Sequence, residues 1–491
     1  MRAFSLFDEL SVAYKMRSRP SIYALGIGFL LTLSMNSVCA NSELEDALGG
    51  FDEPAEVQND LDEALEGFES SDLSSAESTP SSSSPSWLNL TTMLGVNSQF
   101  TTAHSTPQQN EVDWRGLQQL QLKTRIEADM DLPNSWKAKL GVNANYDVVY
   151  HLNDRDSYPK EVLKTQESEA EIFEAYVAGS LTDQVDLKVG RQIEVWGKSD
   201  SIRITDVINP LDNRQPGLVD IEDLRLPIFA TKLTAYSSNW AFSLLALHEQ
   251  RPPKEPAING EFLPLEAFPF PPGFNFPEVD SQKSDYETTF AASAEGRFSG
   301  WDLSLYAARV QDSRWHFTDN KTTRDYGLIN MVGAAANFSF GGGLIKTEAA
   351  YLSDLRYNTT TDKKQRIDWL LGYDYMSIPD WTLSIEVADR YIQNYEPKMA
   401  DLPDAVEEHN WQTAGRVSYS FDRDQAQLSY LVSLLGETGQ QGGFQRLWLG
   451  YDYSDHINLT LGYIDYLGGD HPLWEAMKNN DRVFAGVDYY F

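Results

Sequence analysis

One cysteine, Cys39, is all the thiol chemistry this chain possesses. It lies in "SVCA", just behind an apolar stretch, and cleavage after Ala40 would leave a chain with none. Disulfide frameworks and cysteine-based nucleophiles or metal sites are excluded on that ground. Cations are scarce too: 39 Lys and Arg face 73 Asp and Glu, a formal charge of −34. A nucleic-acid surface needs clustered cations to displace phosphate counterions, so no nucleic-acid partner is expected. No stretch approaches the roughly 18 consecutive apolar residues of a membrane-crossing helix. The 7 histidines (104, 151, 248, 316, 409, 456 and 471) are scattered, and none sits at triad or metal-ligand spacing. No phosphate-binding loop or dinucleotide fingerprint occurs. The expectation is therefore no enzyme, no cofactor and no metal.

The amino-terminal region carries export and tethering signals. Residues 22–35, "IYALGIGFLLTLSM", form an apolar core preceded by Arg17 and Arg19 and followed by small residues up to Ala40. This is the layout of a signal peptide over 1–40. Residues 41–86 hold 13 Asp and Glu and no Lys or Arg, and end in "STPSSSSPS". Such a composition cannot bury a core, so a disordered acidic leader is expected. Within it "LEDALGGFDE" (44–53) recurs as "LDEALEGFES" (61–70). A repeated Leu-x-x-Ala-Leu-x-Gly-Phe pattern suits a short amphipathic turn that orders on a partner, so the span 44–70 is read as a docking motif.

From Trp87 onward a period of two takes over. In "LQLKTRIEADMDL" the even positions from Leu120 to Leu132 are apolar or small, and the odd positions from Gln121 to Asp131 are polar. The run exceeds ten residues, which is long for a soluble strand and right for a tilted strand crossing a bilayer. One apolar and one wetted face is the pattern of a barrel with lipid outside and water inside. It also explains a mean hydropathy of −0.42 in a membrane protein. Candidate strands begin near residues 88, 118, 136, 170, 185, 228, 240, 287, 301, 326, 344, 366, 381, 411, 426, 446, 457 and 482. The third is expected to run from Trp136 to Tyr150. Short turns such as "LPNSW" and "SIPDW" alternate with longer polar or Pro-rich loops. The fold class expected is an all-β transmembrane antiparallel barrel of about 18 strands over 87–491, in the bacterial outer membrane with the leader in the periplasm. Trp87, Trp136, Trp240, Trp301 and Trp381 each open a strand after a turn or the leader, as an interfacial girdle would. "VFAGVDYYF" (483–491) alternates to its end, and with Tyr489 and Phe491 it resembles the signal read by the outer-membrane barrel insertion machinery.

The densest polar segment is "GRQIEVWGKSDSIRITDVINPLDNRQPGLVDIEDLRLP" (190–227). It contains Arg191, Glu194, Lys198, Asp200, Arg203, Asp206, Asp212, Arg214, Asp220, Glu222, Asp223 and Arg225. Its apolar residues, among them Ile202, Ile204, Ile208 and Ile221, are too many for a solvated loop. Loop 197–226 is expected to enter the lumen, pair with the wall and constrict the bore. By parity the wall offers Lys123, Arg125, Glu127, Lys188, Gln192, Lys346, Glu348, Glu386, Arg390 and Arg416 toward the lumen. A pore lined by both signs selects by field and size.

Within this segment "VGRQIEVWGKSD", "INPLD" and "DIEDLRLP" resemble the Gly-Arg-Gln…Trp-Gly, Asn-Pro-hydrophobic-Asp and Leu-Pro signature of an uncharacterised family of proteobacterial outer-membrane barrels. These are porin-like, distantly similar to alginate-export-type barrels, and often encoded near RND-type exporters. The resemblance implies a porin-like barrel and brings no ligand or catalytic residue; the acidic leader is not part of it. A further loop, 250–286, is rich in Pro and Phe, with Phe262, Phe268, Phe270, Phe274 and Phe276 suited to capping the mouth, touching lipopolysaccharide or meeting a hydrophobic solute. Two functional readings follow. The first is a channel or transporter for a solute of hydrophobic or amphipathic character. The alternative is a non-conducting barrel that anchors its leader for a periplasmic or RND-exporter partner. Outer-membrane lipid, lipopolysaccharide and the insertion machinery are partners in either case.

Overall fold

The computed structural model describes residues 86–107, 111–220, 223–264, 287–318 and 323–491. The signal peptide with Cys39, the leader to residue 85, Ile221, Glu222 and residues 265–286 with four of the loop phenylalanines lie outside them.

Eighteen antiparallel strands form one closed sheet. The first six are β1 (Leu88–Thr101), β2 (Gly116–Leu132), β3 (Trp136–Asp147), β4 (Ser168–Thr182), β5 (Val185–Gln192) and β6 (Ile228–Ser237). Then come β7 (Trp240–Leu247), β8 (Thr289–Phe298), β9 (Trp301–Phe317), β10 (Arg324–Phe340), β11 (Gly343–Leu355) and β12 (Lys364–Tyr375). The last six are β13 (Trp381–Gln393), β14 (His409–Phe421), β15 (Ala426–Leu435), β16 (Gly442–Ser454), β17 (Ile457–Leu467) and β18 (Arg482–Tyr490). Each strand pairs with its neighbours in sequence, and β18 pairs with β1 from Met93↔Tyr490 to Thr101↔Arg482. Closure leaves no sheet edge, which is what a hydrocarbon surrounding demands of a β-structure.

The alternation in the sequence sets the two faces. Leu459, Val487, Val96 and Leu122 lie in register across β17, β18, β1 and β2. On the outside Val487, Val96 and Leu122 are 47%, 40% and 50% exposed. Similar exposed apolar side chains circle the barrel, for example Leu244, Leu305, Val332, Leu371 and Ile385. A monomeric soluble protein does not expose so continuous an apolar surface; lipid covers it. Inward positions instead make ion pairs, such as Lys123–Asp488 at 2.9 Å and Lys139–Glu127 at 3.1 Å.

At the short-turn rim aromatic rings stack on the outer face. Trp301 stacks on Phe298 at 4.3 Å and Trp381 on Tyr419 at 4.6 Å, while Trp240 stacks on Phe242 at 6.0 Å. Trp136 opens β3 in the same way, and Trp87 precedes β1 by one residue, 51% exposed.

One strand is shorter than its pattern suggested. The alternation "WKAKLGVNANYDVVY" runs to Tyr150, yet β3 stops at Asp147 and a helical turn, α1 (Val149–Leu152), begins. The Asp147 carboxylate accepts from the backbone N–H of Val149 at 3.0 Å and of Leu120 at 2.9 Å, which ends the strand and starts the turn. Val149 and Tyr150 are then buried with Tyr158 and Val162, the latter from α2 (Lys160–Gln166). Apolar periodicity alone could not tell this buried turn from a continued strand.

Gly190 in β5 has φ +137, and a Cβ there would strike the Ala175 carbonyl oxygen and the Tyr176 backbone. Gly190→Ala is expected to destabilise the folded barrel by more than about 1 kcal/mol, because both backbone strain and a backbone clash oppose it. A lower temperature for loss of the compact, heat-modifiable band in gel electrophoresis checks this; an unchanged temperature refutes it.

Candidate functional site

The long segment 193–227 joins β5 to β6, two adjacent strands, but its contacts reach around the whole sheet. Trp196 stacks on Tyr306 of β9 at 4.6 Å. Gln215 accepts from Gln99 of β1 at 2.9 Å, and Pro216 O accepts from the Tyr466 hydroxyl of β17 at 2.7 Å. Arg214 donates to Glu169 of β4 at 2.8 Å. A segment that touches β1, β4, β9, β11, β13, β14, β16 and β17 can do so only from inside the cylinder.

Two buried wall carboxylates hold its first half. Glu348 of β11 accepts from the backbone N–H of Lys198 at 2.6 Å, Ser199 at 2.8 Å and Thr205 at 3.0 Å, and from the Thr205 hydroxyl at 2.6 Å. Glu386 of β13 accepts from the N–H of Asp200 at 2.9 Å, of Ser201 at 3.1 Å and of Ile202 at 3.1 Å, and from the Ser199 hydroxyl at 2.8 Å. Each anion thus stands at the focus of several backbone donors, an arrangement that holds a turn firmly. Gly197, at φ +86, makes room for it: a Cβ there would lie 2.8 Å and 2.9 Å from the Glu348 oxygens. Lys346 bridges Asp200 and Asp374, each at 2.5 Å. Arg390 donates to the Arg203 carbonyl at 3.3 Å and to Gln412 at 3.1 Å.

The second half is tied by its own charges. Asp220 meets Arg446 of β16 and lies 3.5 Å from Arg416 of β14. Asp206 takes Arg203 at 3.1 Å and Arg225 at 2.9 Å. Asp212 binds Arg214 at 2.5 Å; burial pushes its carboxyl up, and the bonded guanidinium outweighs that and holds it below the usual range. Burial, reinforced by the neighbouring Asp220, raises the Asp223 carboxyl. Asn209 clasps the two ends of the segment, accepting from Glu194 N–H at 2.8 Å and donating to Leu226 O at 2.7 Å. Ile202, Ile204 and Ile208 are buried against Val310, Ile329, Leu352 and Ile392 of the wall.

The sequence-derived wall set divides. Glu348, Glu386, Lys346, Arg390 and Arg416 meet the segment, as described. Lys123, Arg125 and Glu127 face inward but pair within the wall: Lys123 with Asp488, Arg125 with Asn143 at 3.1 Å, Glu127 with Lys139. Arg191 lies 3.5 Å from Glu171 and 3.4 Å from Glu249, and Glu194 takes Lys232 at 2.8 Å. Sequence reasoning passed over Tyr306, Arg446, Tyr466 and Gln99. Arg446 was within reach, since Leu447 and Leu449 fix the parity of β16.

Two cavities flank the segment. One, of about 430 Å³, lies toward the long-loop rim between the segment and β9, β12 and β13. The other, of about 480 Å³, lies against β1, β2 and β18 and is lined by amides including Asn97, Gln121 and Asn145.

Among solved structures, Acinetobacter baumannii OccAB1 is similar at 8% identity and TM-score 0.50, covering 82% of this chain and 96% of that one. Acinetobacter baumannii OccAB3 is similar at 9% identity and TM-score 0.49, covering 82% and 98%. Pseudomonas aeruginosa OpdK with vanillate follows at 10% identity and TM-score 0.48, also covering 82% and 98%. At these identities the likeness concerns the fold, an outer-membrane porin-like barrel. No curated protein matches the sequence. The family model described as "Protein of unknown function (DUF1302)" matches residues 109–491, and with well over half of its length inside that match the chain belongs to the DUF1302 family.

Proposed function

We propose that this protein is an outer-membrane channel whose bore is constricted by 197–226 and which admits a small solute without covalent chemistry. The observation that supports it most is the circumferential anchoring of that segment inside the barrel, with a cavity on each side. A loop serving only as filler has no need of ties to eight strands, most of them involving a charged group, with polar space left beside them; a selectivity constriction needs both. The leader would then hang in the periplasm, since β1 begins and β18 ends at the short-turn rim. The tryptophans there would sit at the inner lipid interface, and the long loops would meet lipopolysaccharide. Tyr489 and Phe491 would serve insertion. Purified full-length protein in planar bilayers is expected to give small, discrete conductance steps. Absence of steps at every voltage would overturn the reading.

A second reading is favoured by the repeated word at 44–70: a closed barrel whose leader recruits a periplasmic or RND-exporter partner. A barrel that never conducts, with a peptide covering 44–70 that binds a purified exporter component, would select it.

A further inference from the structure

The cavity against β1, β2 and β18 is rich in amides, and the fold uses only some of them. Gln99 donates to Gln119 at 2.8 Å and to Gln215 of the inserted segment at 2.9 Å, so those three serve the anchoring. Strand parity gathers another three. Asn97 of β1 stands opposite Gln121 of β2, and Asn145 of β3 stands opposite Lys123, the next inward position of β2. Gly486 of β18 pairs with Asn97 and leaves the wall bare beside it. The side chains of Asn97, Gln121 and Asn145 have no hydrogen-bond partner among the described residues, and each offers two donors and an acceptor oxygen. The cations at this cavity are matched: Lys123 with Asp488 at 2.9 Å, Arg214 with Asp212 at 2.5 Å, and Arg446 with Asp220. One anion is not. The Asp223 carboxylate has no hydrogen bond or ion pair among the described residues; Arg125, Lys123 and Arg225 act on its charge from nearby without bonding it.

Two aromatic side chains share the lining. Phe484 packs across Gly462, where a Cβ would lie 2.3 Å from its ring, and the Arg446 guanidinium lies over the Trp448 ring at 4.0 Å. The volume of about 480 Å³ falls within the range of small-molecule sites, roughly 300–1,000 Å³. We propose that this cavity is a binding site for a small uncharged saccharide, its hydroxyls held by Asn97, Gln121, Asn145 and Asp223 and a C–H face of one ring laid on Phe484. A hydroxyl both donates and accepts, so a sugar ring finds matched partners along a wall of free amides, and the free carboxylate accepts from two hydroxyls at once. The apolar face of the same ring suits an aromatic neighbour, which a wall that met only water would not need. An anionic solute is disfavoured, because every cation here already holds a carboxylate and Asp223 adds a like charge.

The inference names the solute class of the proposed channel and rests on that reading for its purpose, but the binding is measured without conduction. It gives the solute a polar character where the Phe-rich loop suggested an apolar one. The full chain in an amine-oxide detergent, which carries no sugar headgroup, is titrated with sucrose, maltose and maltotriose and followed by saturation-transfer NMR. At least one of them is expected to bind saturably. Triethylene glycol, which lacks the dense hydroxyls, and maltobionate, which adds a carboxylate to maltose, are expected to bind at least about tenfold more weakly than the best saccharide. Asn97→Ala combined with Gln121→Ala is expected to lower the affinity by at least about tenfold. Phe484→Leu should lower it too, while Phe484→Tyr keeps most of it. Asp223→Asn should narrow the gap between maltose and maltobionate, a change that loss of packing alone would not produce. Heat-modifiable mobility shows that each variant is a folded barrel, and Lys363→Gln, on an exposed loop, serves as an unaffected control. Saturable binding of none of the three saccharides, equal binding of triethylene glycol, or full affinity in the double alanine variant overturns the site. Conductance without saccharide binding would remove the site and leave the channel; binding without conductance would do the reverse.

Discussion

Replacing Glu348 and Glu386 together by alanine is expected to raise single-channel conductance by at least about twofold, because the bore widens where the inserted segment lets go of the wall. Each carboxylate is nearly fully buried and accepts four hydrogen bonds from residues 198–205. Removing a charged acceptor leaves its donors buried and unmet, at about 1–3 kcal/mol each. Local backbone structure cannot replace those partners, because the turn exists to aim its N–H groups at the anions. The sheet should survive, since its own ladder is untouched. Limited trypsin digestion gives a second readout: cleavage after Lys198 or Arg203 should appear in the double variant and not in the parent. Glu127→Ala, which breaks a wall pair away from the segment, should change neither. Unaltered conductance in the double variant would mean that 197–226 does not set the bore.

The other large effect concerns the outer face. Val332 lies midway along β10 and is 61% exposed, whereas Phe340 is 67% exposed at the turn end of the same strand. Exposure to water would treat the two alike. Exposure to lipid separates them by depth: arginine costs roughly 2–4 kcal/mol at the bilayer midplane and about 0–1 near an interface. Val332→Arg should therefore shift the urea midpoint of the barrel in lipid vesicles strongly toward lower concentration, and Phe340→Arg only slightly. Equal shifts would contradict the assignment of this face to hydrocarbon.

The wall was legible in the sequence because strand parity is a local property. All eighteen strand starts expected from alternation and turn residues fall within a few residues of those observed, from Leu88 to Arg482, including the faint strands near 228 and 446. Where a second local force intervened the reading slipped, as at Asp147, whose carboxylate ends β3. The interior was legible only in kind. The mixture of isoleucines and charges between Arg191 and Arg225 marked a segment that must fold onto something. Which wall residues it meets depends on where each strand sits around the circumference, and alternation carries no such coordinate. Hence Lys123 and Glu348, equal candidates by parity, have different partners: one stays within the wall and the other holds the turn at 198–205.

The seam between β1 and β18 has a consequence for biogenesis. It joins groups as far apart as Ser98 and Ala485, separated by 387 positions, whereas every other strand pairs with its immediate successor. Hairpins can therefore form in succession as the polypeptide arrives, each with low loop-closure entropy, but the cylinder stays an open, sticky ribbon until its two most distant strands meet. The slowest step of maturation should be this single late encounter, and whatever escorts the chain to the membrane must shield one pair of unpaired borders until then.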